Sequence, residues 1–340
     1  MTQLRREQPG AAAPVPELIA AFDRGRRFLV FVHQDPDLDC VGSQLALGEV
    51  LRSRGKDVRL WSPSALPERY GFMPGVEAIS TEYPRDVSFD VAVALDTAAL
   101  SRTGEAPPFS PRDFPTLINV DHHKSNEQFG TLNWVDPAAS SVGEMLYDLF
   151  EQWGVELSRD AAVCLYASIL TDTGGFAFSN TTARAFQVAG SLVERGADPF
   201  TIWQRVFGAF PLRRHKLLGP ALGTLRLWRD GTIATMRVTQ QMLAETGAGM
   251  DDSERFVQYP RTVHGVEVAV ILREQPKGRG VRVGLRSNTP AVDVSRVASR
   301  LGGGGHPRAA GCTVDGGLDG AERTVVATIE QAYSDVEGNA

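Results

Sequence analysis

The stretch Phe28-Leu-Val-Phe-Val-His33-Gln-Asp35-Pro-Asp37-Leu-Asp39 runs an apolar segment straight into a loop carrying one histidine and three carboxylates. A short apolar run that ends in such a loop reads as a buried strand, and Val41 to Arg54 beyond it has the spacing of a helix. The same arrangement recurs outward from this point. Val58-Arg-Leu-Trp61 reads as a second strand, Phe89-Asp-Val-Ala-Val-Ala-Leu95 as a third ending at Asp96, and Thr116-Leu-Ile-Asn-Val120 as a fourth ending at Asp121-His122-His123. Helical patterns cover Ser141 to Trp153, Ala161 to Leu170 and Thr182 to Arg195. Strands alternating with helices predict an α/β fold, a mostly parallel sheet with helices on both faces. Open parallel sheets bind ligands at the carboxyl ends of their strands, which is where these polar groups collect.

The pattern changes after about residue 200. Pro199 and Pro211 bracket a short helical segment, and Arg213-Arg-His-Lys216 begins a connection. Thr224 to Trp228 and Thr232 to Val238 predict a hairpin turned at Asp230-Gly231. Val263 to Leu272 and Gly280 to Arg286 predict a further strand pair, Asp293 to Leu301 a helix, and the residues after Gly302-Gly-Gly-Gly-His306 a last apolar helix. The expected domains are 17–200, a linker at 201–218, and a smaller α/β domain at 219–336. Residues 1 to about 16 are rich in Pro and Ala and read as loose.

Bulk properties narrow the function. The 340 residues are 42% hydrophobic and 22% charged, ordinary globular composition and enough chain for two cores. No apolar run approaches the roughly 20 residues that cross a bilayer. The N-terminus lacks the apolar core of a signal peptide. Cys40, Cys164 and Cys312 have neither CxxC spacing nor an even count, so the expectation is a reducing cytoplasm, no disulfide framework and no membrane. A net charge of −6 disfavours a protein that grips long nucleic acid through many phosphate contacts and favours a small anionic substrate. A homodimer is compatible with all of this.

His33, Asp37, Asp39, Asp96, Asp121, His122, His123 and Asp172 all fall at strand or helix ends. Singly, each has an ordinary alternative: Asp37 and Asp39 as turn acids, His33 as a hydrogen-bonded strand-end residue, Asp96 as a helix cap. Together, these carboxylates repel one another unless cations intervene. Two divalent ions with mixed oxygen and imidazole ligands remove that repulsion, a donor set suited to Mn²⁺, with Mg²⁺ or Co²⁺ as substitutes. No thiolate set argues for zinc. Two metals about 3.5–4 Å apart activate water and stabilise phosphoryl charge, which points to phosphoester hydrolysis.

On these residues the sequence resembles the DHH phosphoesterase family. The matching segments are His33-Gln-Asp-Pro-Asp-Leu-Asp-Cys-Val-Gly-Ser43, Val93-Ala-Leu-Asp96, Asp121-His-His-Lys-Ser-Asn126 and Leu170-Thr-Asp-Thr-Gly174, then Arg286-Ser287 and Gly302-Gly-Gly-Gly-His-Pro-Arg-Ala-Ala-Gly311 of a DHH-associated second domain. The resemblance implies that His33, Asp37 and Asp96 bind one Mn²⁺, and that Asp39, Asp96, His122 and Asp172 bind a second. It implies that His123 meets the substrate phosphate as donor or general acid, and that Asp121 orients a histidine. Arg286, Ser287, Gly304, Gly305 and His306 would bind substrate, with the active site in the interdomain cleft and domain closure bringing Arg286 and His306 to the substrate. Leu38 stands where the family commonly has glycine, Cys40 where alanine is common and Asp35 where asparagine is common; a left-handed backbone at Leu38 would be strained.

Within the family the chain looks like the nanoRNase type, which cleaves short RNA or DNA oligonucleotides of a few residues and dephosphorylates 3'-phosphoadenosine 5'-phosphate. Hydrolysis of cyclic di-AMP or a linear dinucleotide, single-strand exonuclease activity and a non-catalytic nucleotide-binding module remain as alternatives. Arg273, Lys277, Arg279, Arg282, Arg286, Arg296, Arg300 and Arg308 form a local basic surface on this acidic chain. For most of them a solvated strand face is the expectation; Arg286 and His306 are the exceptions.

Overall fold

The computed structural model describes residues 14–104, 107–276 and 280–337. The chain divides into two compact units, with the boundary between Ala209 and Phe210. Residues 1–13, expected to be loose, and Lys277 and Arg279 of the basic surface lie outside the described residues. Val15, also read as loose, instead opens the first helix.

The first unit contains α1 (Val15–Arg24), β1 (Arg27–Phe31), α2 (Leu38–Ser53), β2 (Asp57–Trp61), β3 (Ile79–Ser80), β4 (Val91–Leu95), β5 (Thr116–Asp121), β6 (Leu132–Val135), α3 (Val142–Gln152), α4 (Arg159–Asp172), α5 (Ala183–Glu194) and α6 (Pro199–Trp203). All neighbouring strands are parallel, in the order β3-β2-β1-β4-β5-β6. The chain winds outward from β1 to β2 and β3, then returns to the other side of β1 to make β4. The carboxyl ends of β1 and β4 therefore flank the point where the winding reverses, the place where such sheets bind ligands.

Alternation along β1 splits its side chains between two cores. Phe28 and Val30 join the helices α1 to α5, whereas Leu29 and Phe31 pack with Trp61, Phe89, Phe109 and Phe114. The expectation of helices on both faces is thus corrected: they gather on one face, and aromatic loop residues cover the other. Pro84, Pro108, Pro111 and Pro115 punctuate the connections that carry Tyr83, Phe109 and Phe114 on that side, and proline opposes a helix interior. Strands β3 and β6, of two and four residues, are too short to show a period in the sequence.

The second unit holds α7 (Leu212–Leu222), β7 (Arg226–Trp228), β8 (Ile233–Val238), α8 (Gln240–Thr246), α9 (Gln258–Arg261), β9 (Val268–Glu274), β10 (Val281–Ser287), α10 (Val294–Arg300), β11 (Gly304–His306), β12 (Ala309–Val314) and α11 (Leu318–Glu337). Its sheet runs β11-β12-β10-β9-β8-β7, parallel between β8 and β9 and antiparallel elsewhere. The hairpin of β7 and β8 turns through Arg229, Asp230 and Gly231, all left-handed. The segment expected as a linker is largely helical. After α6 a π turn covers Gln204–Gly208, and Arg213-Arg-His-Lys216 lies inside α7 rather than in a connection. Arg214 is buried there because its guanidinium donates to the carbonyls of Asp252 (2.6 Å) and Glu254 (2.8 Å).

One face of this sheet is covered by α10 and α11, through Val268, Val270, Leu272, Val283 and Leu285. On the other, Ala234, Met236, Ala269 and Ile271 pack under α7 and α8. Arg282, Gly304 and Thr313 are exposed on the remainder of that second face. Among the described residues no helix is long and apolar enough to cross a membrane.

Candidate metal centre

The loop after β1 is shaped by the start of α2. Asp37 caps that helix, its Oδ1 accepting from the backbone N–H of Asp39 (3.0 Å) and Cys40 (3.2 Å). Asp35 takes a left-handed φ of 55°, which a short polar side chain tolerates. Leu38 is the first helical residue and is buried, so leucine carries no strain at the position where glycine is common. The left-handed position lies three residues earlier than that comparison suggested.

Asp39 is 1% exposed. Its carboxylate accepts from the backbone N–H of Val142 (3.0 Å) and Gly143 (3.2 Å) at the N-terminus of α3, and from the Ser168 hydroxyl on α4. That convergence needs α2, α3 and α4 to pack closely. A side chain at Gly42 would collide with the Cys164 carbonyl, and one at Gly143 with the Ser168 hydroxyl. Two glycines therefore set the helix spacing that places Asp39.

Asp96 lies one residue beyond β4, at a left-handed φ of 52°. Strain of this kind collects at functional sites. Its Oδ2 is 3.7 Å from His33 Nε2, and its Oδ1 is 3.5 Å from His122 Nε2 and 3.4 Å from His123 Nδ1. Asp96 Oδ1 is buried and accepts no hydrogen bond. His122 Nε2 also faces Asp39 Oδ2 and Asp172 Oδ2, each at 3.6 Å. Three carboxylates thus surround one imidazole nitrogen, all slightly beyond hydrogen-bond distance. Asp172, read as following a helix, is the last residue of α4, and Asn180 Nδ2 donates to its backbone carbonyl at 3.2 Å.

Asp121 is fully buried and its oxygens are engaged. Oδ1 accepts from the His122 backbone N–H (2.8 Å) and pairs with His123 Nδ1 (2.7 Å); Oδ2 accepts from Asn126 Nδ2 (2.6 Å). It positions its neighbours, as second-layer carboxylates do around metal-binding imidazoles.

The donor atoms fall into groups. His33, Asp37, Cys40 and Asp96 offer one set of donors within 4.8 Å of one another, and Asp39, His122 and Asp172 offer a second. Cys40, read as a small core residue, is buried with its thiol donating to the Asp37 carbonyl at 3.3 Å. The electrostatics fit cations. Burial and the Asp96 and Asp172 charges push the Asp39 carboxyl well above its ordinary value. Burial pushes Asp172 up to about 6, despite His122 beside it. Burial alone would lower His33 and raise Asp96, but Asp96 and Asp37 outweigh it at His33, lifting it to about 9, and His122, His33 and His123 outweigh it at Asp96, holding its carboxyl well below the carboxylate range. The imidazoles are drawn into balancing an excess of carboxylates, a task that divalent ions perform better.

In the second unit, Arg286, Ala309 and His306 occupy one row across β10, β12 and β11. Arg286 and His306 are both half-buried there. Ser287 points the other way. It is 1% exposed and its hydroxyl donates to the Thr289 carbonyl at 2.7 Å, so the expectation that it binds substrate is corrected to a structural role. Gly305 and Gly304 also separate. Gly305 has φ 141° and a side chain there would meet the Ala309 carbonyl at 2.5 Å, whereas Gly304 faces open space. Bare backbone is thus available at Gly304, while Gly305 is required by the hairpin.

Sequence reasoning gave no role to Ser168, Asn126 or Asn180. Asn126 stood inside a quoted motif, but its bond to Asp121 spans a loop. Ser168 reaches Asp39 across 129 residues, with no spacing signal to find it.

Two family models match this chain: the DHH family, N-terminal domain, over residues 27–169, and the DHHA1 domain over residues 230–335. A bifunctional oligoribonuclease and PAP phosphatase NrnA from Thermus thermophilus is 34% identical over 304 residues, covering 89% of each chain. A protein of the same name from Bacillus subtilis is 27% identical, covering 88% of this chain and 92% of that one. The crystal structure of an exopolyphosphatase-related protein from Bacteroides fragilis superimposes with a TM-score of 0.86 at 26% identity, covering 99% of this chain and 100% of that one.

Proposed function

From the premise that this chain belongs to the DHH family and carries a DHHA1 domain, we propose that it is a two-metal phosphoesterase cleaving short oligonucleotides to mononucleotides and 3'-phosphoadenosine 5'-phosphate to AMP. The observation that carries the reading is the ring of Asp39, Asp96 and Asp172 around His122 Nε2, with Asp96 Oδ1 buried and accepting no hydrogen bond. The substrates follow from the relatives named as oligoribonuclease and PAP phosphatase.

The donor set fits Mn²⁺: oxygen and imidazole ligands predominate, and the orphaned Asp96 Oδ1 faces His122 Nε2 at 3.5 Å. His33, Asp37 and Asp96 would hold one ion, and Asp39, Asp96, His122 and Asp172 the other. Bound there, the ions supply charge neutralisation at the phosphoryl oxygens and a lowered pKa for water. The chain's own residues do the rest. Asp121 fixes the His123 ring through Nδ1, and although burial opposes it, the Asp121 and Asp96 charges favour its imidazolium. His123 Nε2 then carries the proton that meets a phosphate oxygen or the leaving alkoxide. Arg286 and His306 hold a substrate phosphate, and Gly304 presents its backbone to it.

The test is product formation with Mn²⁺ on a 5'-phosphorylated RNA dinucleotide, 3'-phosphoadenosine 5'-phosphate, cyclic di-AMP and a single-stranded 20-mer. Rapid mononucleotide release from the first two, with the 20-mer nearly untouched, is expected. Preference for the 20-mer would make it an exonuclease, and no hydrolysis of any would make it a binding module.

A further inference from the structure

The two donor groups of the metal centre differ in chemical kind. Cys40 Sγ lies within 4.8 Å of donor atoms on His33, Asp37 and Asp96, whereas the group of Asp39, His122 and Asp172 offers oxygen and nitrogen alone. Cys164 and Cys312 are buried too, yet among the described residues neither joins such a group. The first turn of α2 sets the position. Asp37 caps that helix and Cys40 follows three residues on, close enough for its thiol to donate to the Asp37 carbonyl at 3.3 Å.

The other three members of the group are already turned toward a cation. His33 Nδ1 meets the Gln34 carbonyl at 2.7 Å; a carbonyl only accepts, so Nδ1 carries a proton and Nε2 is left to face Asp96 Oδ2 at 3.7 Å. Metal-binding imidazoles are held in this way, through the nitrogen that does not ligate. Asp37 Oδ1 is committed to the backbone N–H groups of Asp39 and Cys40, which leaves Oδ2 to the group. Asp96 is 3% exposed, and its Oδ1 accepts no hydrogen bond. The bond from the Cys40 thiol engages its proton and not the sulfur lone pairs, and S–H is a weak donor. One imidazole, two carboxylates and one sulfur make four donors, a spread that one ion with bonds of about 2.0–2.3 Å can gather. Sulfur in that set favours a softer ion than Mn²⁺.

We propose that Cys40 Sγ is a ligand of the ion held by His33, Asp37 and Asp96, so that this position takes a thiophilic divalent cation, Zn²⁺ or Co²⁺, while Asp39, His122 and Asp172 take Mn²⁺. The inference rests on the metal centre of the proposed function. As the Sγ–metal bond forms, the S–H bond breaks and its proton leaves to solvent. The centre is then a mixed one, with two positions separable by the softness of the ion.

The test is optical titration with Co²⁺ of the full chain, stripped of metal with EDTA and kept reduced without added thiol. Visible d–d bands report Co²⁺ bound to protein, and a near-ultraviolet charge-transfer band reports a bond to sulfur. The wild-type chain is expected to show both, with the charge-transfer band saturating at the first equivalent. Zn²⁺ should abolish that band, and Mn²⁺ at the same concentration should not. Cys40→Ala should keep d–d bands, lose the charge-transfer band and bind Zn²⁺ at least about tenfold more weakly. Wild-type d–d bands without a charge-transfer band overturn the proposal, whatever the variant's stability. A charge-transfer band that persists in Cys40→Ala overturns it as well. Absence of d–d bands in the wild-type chain would overturn the two-metal reading along with it.

Discussion

The two units both bury carboxylates, but they balance them differently. In the first, Asp39, Asp96, Asp121 and Asp172 crowd against His33, His122 and His123, and the carboxylate-to-imidazole distances of 3.5–3.7 Å at His33 and His122 fall short of hydrogen bonds. In the second, Glu322 is 1% exposed yet accepts from Thr235 Oγ1 at 2.7 Å and from the Arg237 guanidinium, with Arg226 3.5 Å away. A buried charge that finds its partners within the chain is architecture. A buried cluster of carboxylates in which one oxygen, Asp96 Oδ1, accepts no hydrogen bond is arranged for something the chain does not itself supply.

The contrast can be broken most directly at Asp96, whose carboxylate faces His33, His122 and His123. Asp96→Ala should reduce Mn²⁺-dependent phosphodiester hydrolysis to background while leaving the fold, and full activity in that variant would sink the two-metal assignment. The mirror experiment is Glu322→Ala, expected to destabilise the second unit by about 1–2 kcal/mol, because it removes the acceptor of Thr235 Oγ1 and one of the two carboxylates that pair with Arg237. Hydrogen exchange should place that loss in the second unit and leave Mn²⁺ binding alone. Burial opposes ionisation of Glu322, but Arg237 and Thr235 outweigh it and hold its carboxyl below the ordinary value of 4.5. Its folded pKa is depressed, so its stabilisation is present above pH 4.5 and is lost as pH falls through the folded value.

Metal should act in the opposite place. Mn²⁺ at a hundredfold excess over its Kd should stabilise the first unit by about 2.7 kcal/mol, reversed by EDTA. A thermal shift that survives in Asp96→Ala would contradict this. Smaller still, Asp121→Asn should lower kcat about 10- to 100-fold through a misoriented His123. Its pH profile should move with it, which a merely structural defect would not produce. Arg286→Ala should chiefly raise KM, since that side chain holds substrate rather than the reacting centre.

Much of the first unit was legible in advance because its signals are local. The run Phe28 to Val32 followed by acids, the apolar Val91 to Leu95 before Asp96, and the Thr116 to Val120 run before Asp121 each combine a burial pattern with a break in it. What escaped is non-local. The aromatic layer over the second face of the sheet, the α3 N-terminus donating to Asp39, and the Ser168 hydroxyl all depend on segments that meet only on folding. In the second unit the sequence presented eight basic residues between Arg273 and Arg308 as one surface. Strand pairing sorted them, setting Arg273 opposite Arg282 and Arg286 in line with His306, while the alternation of β10 turned Ser287 inward.

The sequence by itself determined the α/β class, the residues that end the strands, and the chemical kind of the site, because residue type and period are written along the chain. The tertiary structure decided which oxygens are left without hydrogen bonds, which arginines face one another, and which glycines present bare backbone rather than shape a hairpin. Those depend on distances between residues far apart in sequence, set by helix packing at Gly42 and Gly143 and by strand register, and no local pattern carries them.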